Sequence, residues 1–466
     1  MSRMRQSALV LSSVGVLSLL TVMAGAAAAA PAGGTRGDPQ PEAAPFKIGP
    51  ADSAGSAAID SNGTIVTAYN AGDRDTVICV LPRGRRGCSH KANLTAPGSP
   101  DVFGIPQVFS PAAGHVDVLQ ETTETTYFYS SADGGITFSA PVNVGDLSVT
   151  AAALVGGDIV FGSGDNHDGA ETESISISAP AAPGTIATPN TSVAYDYGVG
   201  SYKDGALVAS DYDGSTYTTH VDYAPSGANF NATSSYHSVG SFGSQELIGI
   251  SGDALLTQET GGKETVELRL FTGSGFGPEH AVPHTSGGGP EWFAVDQDPS
   301  GHVHVFSEST HYSPIYDLEE VSTANGGRTW SGAVSHGDAA VSDYFAVALD
   351  SRGTGLVLGT APARGYPVLG GQSMSLKLKS ARIGTGAHTT ASGKGSPAGT
   401  GRVVGLQVER AGRWYTVATT HEKAGGSFSF TIKGSSAGSF EYRAVVSPLP
   451  GYLEYGYSAA RKLTVS

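Results

Sequence analysis

From Phe46 to Ser373, apolar residues come in short runs separated by turn residues, and one two-run pattern keeps returning. It is clearest in Ala57-Ala58-Ile59 and Ile65-Val66 around Gly63, and in Phe293-Ala294-Val295 and Val303-His304-Val305-Phe306 around Gly301. A third clear copy is Phe345-Ala346-Val347-Ala348-Leu349 and Leu356-Val357-Leu358 around Gly353. Weaker copies centre on Gly114, Gly157, Gly205 and Gly252. Runs this short, rich in β-branched residues and broken by glycine, predict strands rather than helices. The interval of roughly four dozen residues leaves room for four strands, the period of propeller blades. The pattern predicts an all-β chain whose main domain, 46–373, is a β-propeller of seven blades.

A second motif runs in phase with the first. Ser131-Ala132-Asp133-Gly134-Gly135-Ile136-Thr137-Phe138 and Thr323-Ala324-Asn325-Gly326-Gly327-Arg328-Thr329-Trp330 share one spacing, with degenerate counterparts near Gly87, Gly227 and Gly273. In such a loop the Asp accepts backbone N–H groups, glycine supplies positive φ and the aromatic tucks between strands, so we read it as a folding device rather than a catalytic carboxylate. The last repeat lacks this loop, which leaves six blades as the alternative count. From Met374 the period stops. Val403–Arg410, Gly412–Val417, Gly425–Phe430 and Phe440–Val445 then read as successive strands of a small β-sandwich, 374–466, in which Trp414 fits core packing better than a sugar platform.

Composition sharpens this picture. With 65 Gly and 25 Pro in 466 residues and charged residues at 15%, the chain is turn-dense and poor in helical material. A net charge of −15 argues against nucleic acid and anionic membranes as partners. Arg3 and Arg5 ahead of an apolar run to about Ala24, then small residues to Ala30, read as a signal peptide over 1–30, with a membrane anchor as the alternative. Residues 31–45 read as a Pro/Gly-rich linker, and no later run reaches the ~18 apolar residues of a membrane span. The expected destination is secreted, extracellular. In that setting Cys79 and Cys88, flanking a turn-like segment, are expected to form a disulfide across a hairpin.

Blade geometry also turns position into place. If the glycine turns and the Asp-containing loops share one face, the remaining loops and the crossings between blades converge on the other. They supply the candidate ligand-binding residues Asp73, Arg74, Asp75, Asp211, Glu291, Trp292, His311, Tyr312, Tyr344 and Arg364, with Asp101, Phe103, Glu121 and Glu124 beside them. Each alone reads most simply as a solvated loop residue. As a set, acids and aromatic planes suit carbohydrate recognition. Asp165, Asp168 and Glu171 near Gly169 are the candidate calcium ligands, calcium being the one cofactor considered, although their spacing is not that of an EF-hand. His302 and His304 stand at i and i+2 on one strand face, but lacking a third ligand they read as ordinary strand histidines.

The repeats and the Ser131–Phe138 motif resemble the Asp-box (BNR) propellers of the sialidase-like superfamily, and the C-terminal strands resemble bacterial Ig-like modules. The resemblance implies a glycoside hydrolase fold, with an arginine cluster clamping the substrate carboxylate, a Tyr–Glu nucleophile and an Asp acid/base. One arginine belongs to an F/Y-R-I-P string. The nearest string here, Phe46-Lys47-Ile48-Gly49-Pro50, carries lysine and an inserted glycine. Arg74 and Arg364, with Lys263, face more than ten carboxylates, which disfavours an anionic sugar. The sequence therefore favours non-catalytic recognition of an extracellular glycan or cell-surface polymer. A hydrolase, either exo-sialidase or neutral-glycan, is the enzyme alternative.

Overall fold

A computed structural model describes residues 46–48, 55–82, 87–98, 100–145, 149–163, 171–181, 187, 197–213, 217–260, 265–283, 293–310, 316–339, 345–351, 353–360, 363–368, 373–396, 398, 401–410, 413–446 and 456–466. Two compact units divide them after Val368. The first is built from seven antiparallel sheets. Sheet 1 holds Gly55–Ile59, Ile65–Asn70, Asp75–Leu81 and His90–Thr95, and sheet 2 holds Gln107–Phe109, Val116–Glu121, Thr126–Ser131 and Val142–Gly145. Sheet 3 has three strands, Ala151–Val155, Asp158–Ser163 and Glu171–Ser176, while sheet 4 has Tyr197–Tyr202, Gly205–Asp213, Tyr217–Ala224 and His237–Gly243. Sheet 5 holds Gln245–Ser251, Ala254–Glu259, Val266–Leu270 and His280–Ala281, and sheet 6 holds Phe293–Gln297, Val303–Thr310, Tyr316–Thr323 and Val334–Ala339. Sheet 7, Phe345–Leu349, Gly355–Thr360 and Ala363–Val368, takes its outermost strand from the other end of the chain, Phe46 pairing with Gly365 and Lys47 with Arg364.

The first strand of each sheet touches the first strand of the next, and that of sheet 7 touches that of sheet 1. The arrangement is propeller-like, and its core lies between sheets. Val118 and Tyr129 of sheet 2 pack with Ala68 and Ile78 of sheet 1, and five further apolar clusters join sheets 2 to 3 and so on to sheets 6 to 7. Because both faces are covered, Ile65–Asn70 is buried at every position, which is why such strands read as continuous apolar runs.

All seven marker glycines fall at the first hairpin of a sheet, although two serve differently from expectation. In sheet 3 the positive φ belongs to Gly156 rather than Gly157, because Val155 pairs with Asp158 and the turn bends at its first central residue. In sheet 4 it belongs to Lys203 and Asp204, between paired Tyr202 and Gly205. Gly205 is needed there for space, since a Cβ would lie 2.6 Å from the Tyr223 hydroxyl.

In the second unit, His388–Ser396 pairs with Ser427–Lys433 and with the short strands at Ser373 and Lys377, while Val403–Arg410, Arg413–His421, Gly438–Val446 and Arg461–Val465 form the larger sheet. One apolar cluster, including Leu376, Phe428, Phe430, Leu406, Ala444 and Leu463, belongs to both sheets. Trp414 lies outside this core. It pairs with Glu409 on the outward face and stacks 4.3 Å from the Arg443 guanidinium. Among the described residues the only helical turns are Thr233–Ser235 and Ala424–Gly426, and no helix is long and apolar enough to cross a membrane.

Candidate functional site

At the junction of sheets 1 and 2, the crossing segment is stitched between two loops by backbone hydrogen bonds. Val102 N donates to Asp73 O at 2.6 Å, Phe103 N to Glu121 O at 2.9 Å and Thr123 N to Asp101 O at 2.9 Å. The stitching holds Phe103 outward, 61% exposed. Asp73, Arg74 and Glu124 are exposed on the same loops. Arg74 Nε stands 3.8 Å from Asp101 Oδ1 with both side chains more than 60% exposed, so water screens the pair and leaves the guanidinium available. Asp75 points back into the sheet and accepts the Thr95 hydroxyl at 2.6 Å.

Other acids expected on this face are structural. Near the end of the second strand in sheets 1, 2 and 4, a polar side chain reaches the start of the next sheet. Asn70 Nδ2 donates to Gly104 O at 3.0 Å, Glu121 Oε2 accepts Val149 N at 3.1 Å, and Asp211 Oδ2 accepts Leu247 N at 3.3 Å. Asp211 is 1% exposed, so it latches two sheets where a surface ligand contact was expected. Sequence reasoning missed this role because the signal is a position shared by three repeats, not a residue type.

Arg364 lies in the third strand of sheet 7 opposite Lys47, which is exposed on the outermost strand. Glu171 begins the third strand of sheet 3, opposite Ser163. The remaining candidates, Asp165, Asp168, Glu291, Trp292, His311, Tyr312 and Tyr344, lie outside the described residues. Among the described residues no group of three histidine, cysteine or carboxylate side chains is arranged to hold a metal.

The opposite face is organised by turns. Asp133 accepts Ile136 N, Thr137 N and the Thr137 and Ser131 hydroxyls, and these bonds, the Thr137 hydroxyl foremost, lower its pKa to about 2. Asn325 bonds Thr329 in the equivalent loop, and Phe138 and Trp330 pack against the cores toward sheets 1 and 5. Cys79 and Cys88 are joined by a disulfide beside this face, a bond suited to an oxidising compartment.

The two histidines part company. His302 precedes its strand and is exposed, whereas His304 is buried with Nδ1 2.7 Å from Glu320 Oε1. The other Glu320 oxygen lies 2.8 Å from His336 Nε2. Burial favours a neutral His304, but the Asp298 and Glu320 carboxylates outweigh it and hold its pKa at about 9. Burial likewise pushes Glu320 up, and the two imidazoles bring it down to about 2. This is a paired interior charge, with His304 Nε2 3.8 Å from Asp298 Oδ2 on its other side.

No protein-family model matches the chain, and no curated protein matches it. Among solved structures, the Hadza microbial sialidase Hz136 is similar at a TM-score of 0.37 and 10% identity, over 67% of this chain and 64% of that one. The chain thus spans just under two thirds of that sialidase. The WD40 domain of SCAP from fission yeast is similar at a TM-score of 0.38 and 11% identity, over 90% of this chain and 98% of that one. A protein of unknown function from Dyadobacter fermentans follows at a TM-score of 0.23 and 10% identity, over 92% and 99%. The propeller-like description rests on the sheets themselves.

Proposed function

We propose that the chain is a secreted, seven-bladed propeller of the sialidase-like class followed by an Ig-like module at 374–466, and that its loop face recognises a neutral glycan or surface polymer outside the cell. The supporting observation is the junction of sheets 1 and 2. There an exposed Phe103 is accompanied by three exposed carboxylates, Asp73, Asp101 and Glu124, and a single arginine, Arg74. An aromatic plane beside hydrogen-bonding acids accommodates a sugar ring, while an anionic sugar would meet repulsion that one arginine does not offset.

A glycan array probed with the mature protein tests this reading. Neutral glycans should bind, and Phe103→Ala should weaken that binding by about tenfold, in line with the loss of one stacking contact. A fluorogenic sialoside should not be turned over, either with added calcium or with chelator. Turnover abolished by Arg74→Ala would instead make the protein a hydrolase.

A further inference from the structure

The net charge of −15 conceals two opposite halves. Residues 1–368 contain 15 Lys and Arg against 38 Asp and Glu, whereas residues 369–466 contain 12 against four. Of the four acids in the second unit, Glu422 is buried in a two-bond contact with Arg402, and Glu409 and Glu441 belong to the larger sheet. Glu454 lies outside the described residues.

The smaller sheet is therefore uniformly basic on its outward side. Its register sets Lys377 opposite Ser392 and Ser392 opposite Ser429, then Thr390 opposite Thr431, His388 opposite Lys433 and Lys394 opposite Ser427. Lys379 continues the alternation, its N–H bonding Thr390 O. The intervening residues Leu378, Thr389, Ala391, Phe428, Phe430 and Ile432 point inward. The outward set is thus four exposed lysines, one histidine and five Ser or Thr hydroxyls, with no carboxylate. The strand from His388 to Lys394 makes it roughly 20 Å long at ~3.4 Å per residue.

We propose that this lysine face binds an extracellular anionic polysaccharide, a chain carrying carboxylate or sulfate groups at intervals. Charge complementarity fixes the sign of the partner. Lysine without arginine offers point charges rather than bidentate forks, and the hydroxyls between them match sugar hydroxyls. With no Phe, Tyr or Trp in the outward set, nothing on the face stacks bases as single-stranded nucleic-acid sites do. The site is separate from the loop face of the first unit and stands whether or not that face binds a neutral glycan.

The test uses the mature full-length chain and polygalacturonate as the probe, with dextran, duplex DNA and phosphatidylglycerol vesicles in parallel. Polygalacturonate should bind despite the chain's net negative charge, and the affinity should fall more than about tenfold between 50 and 300 mM salt as the lysines are screened. Replacing Lys377, Lys379, Lys394 and Lys433 together by Ser should reduce binding more than about tenfold, while Arg382→Ser with Lys462→Ser on the larger sheet, and Phe103→Ala, should leave it unchanged. All four lysines are exposed, and an unchanged melting profile of the variant confirms intact folding. Equal binding by the four-lysine variant, or no binding at low salt, overturns the proposal. Tighter lysine-dependent binding of DNA or of the vesicles overturns the polysaccharide assignment.

Discussion

The two units carry their charge in opposite places. In the first, Asp117, Glu121, Glu173, Asp211, Asp296, Asp298, Glu308 and Glu320 are each less than a tenth exposed, so part of its acidity is interior, with Glu121 and Asp211 serving as latches and Asp298 and Glu320 facing imidazoles. In the second, Glu422 is the one buried acid among the described residues, and its lysines stand outside. A ring of sheets has many seams, and each seam brings unpaired backbone groups together that a short acidic side chain can satisfy. A two-sheet sandwich has one seam, filled with apolar side chains. Part of the ring's acid content is therefore architecture, as at Glu121, Asp211 and Asp296, whereas the sandwich's described lysines are surface.

The strongest way to break this comparison is to remove the sandwich's only described buried ion pair. Arg402 Nε and Nη2 each lie 3.0 Å from a Glu422 oxygen, so Arg402→Ala leaves a carboxylate buried without its cation. That should cost about 3–5 kcal/mol. Calorimetry should show the second unit's transition falling while the ring's remains, and a shift of both together would mean that the units do not unfold independently.

Interior carboxylates also give the ring a pH dependence. Burial raises Glu173 to about 7, with Glu171 adding to it, and burial raises Asp222 to about 6. A raised folded pKa means stability that is full below the unfolded value and lost as pH rises through the folded one. Ring stability should therefore decline from about pH 4.5 through 7, and again through 9 as His304 gives up its proton. Below about pH 4.5 the sign reverses, because Glu320 is depressed and protonating it breaks its imidazole contacts. Urea midpoints at pH 5, 7 and 9 should fall in that order, and Glu173→Gln should flatten the first interval by on the order of 2 kcal/mol. A variant as pH-sensitive as the parent would remove Glu173 from the account.

A smaller effect is expected at the latch between sheets 4 and 5. Asp211→Ala should cost about 1–3 kcal/mol, the range for a buried charged hydrogen bond, and should raise amide exchange at Leu247. If exchange at Leu247 is unchanged while glycan binding is lost, Asp211 belongs to the ligand site after all.

Much of the ring was legible because its signals are local. Seven turn glycines, two loop motifs and two cysteines each report on the few residues around them, and hairpins answer to such short-range chemistry. Gly156 and the Lys203-Asp204 turn show the limit, since register rather than glycine decides which residue takes positive φ. The latch role of Asp211 was not legible, as an acid at a strand end looks the same whether it meets water or the next sheet's N–H. The lysine face was hidden by averaging, because the ring's carboxylates masked the C-terminal excess in the net charge. Trp414 was misplaced for a similar reason: only the pairing of Val408 inward and Glu409 outward determines which side of the sheet it occupies.

The smallest effect expected separates hydrogen-bond shape from charge within the ring itself. Asp133 and Asn325 occupy equivalent loops in sheets 2 and 6, and both bind the N–H four residues ahead, at 2.8 and 3.0 Å. They differ in the hydroxyl contact. Thr137 donates to Asp133, whereas Thr329 accepts from the Asn325 amide. A threonine hydroxyl rotates to serve either way, so charge is dispensable if one oxygen stays to receive the backbone. Asp133→Asn should leave the exchange of Ile136 and Thr137 amides nearly unchanged at neutral pH, and it should abolish any change in that exchange between pH 4 and 2, where the parent carboxylate takes up its proton. Asp133→Ala should release both amides. If Asn behaves like Ala, charge and not geometry closes the loop, and the Asn325 loop must then be held chiefly by Thr323, whose hydroxyl accepts Gly327 N at 2.9 Å.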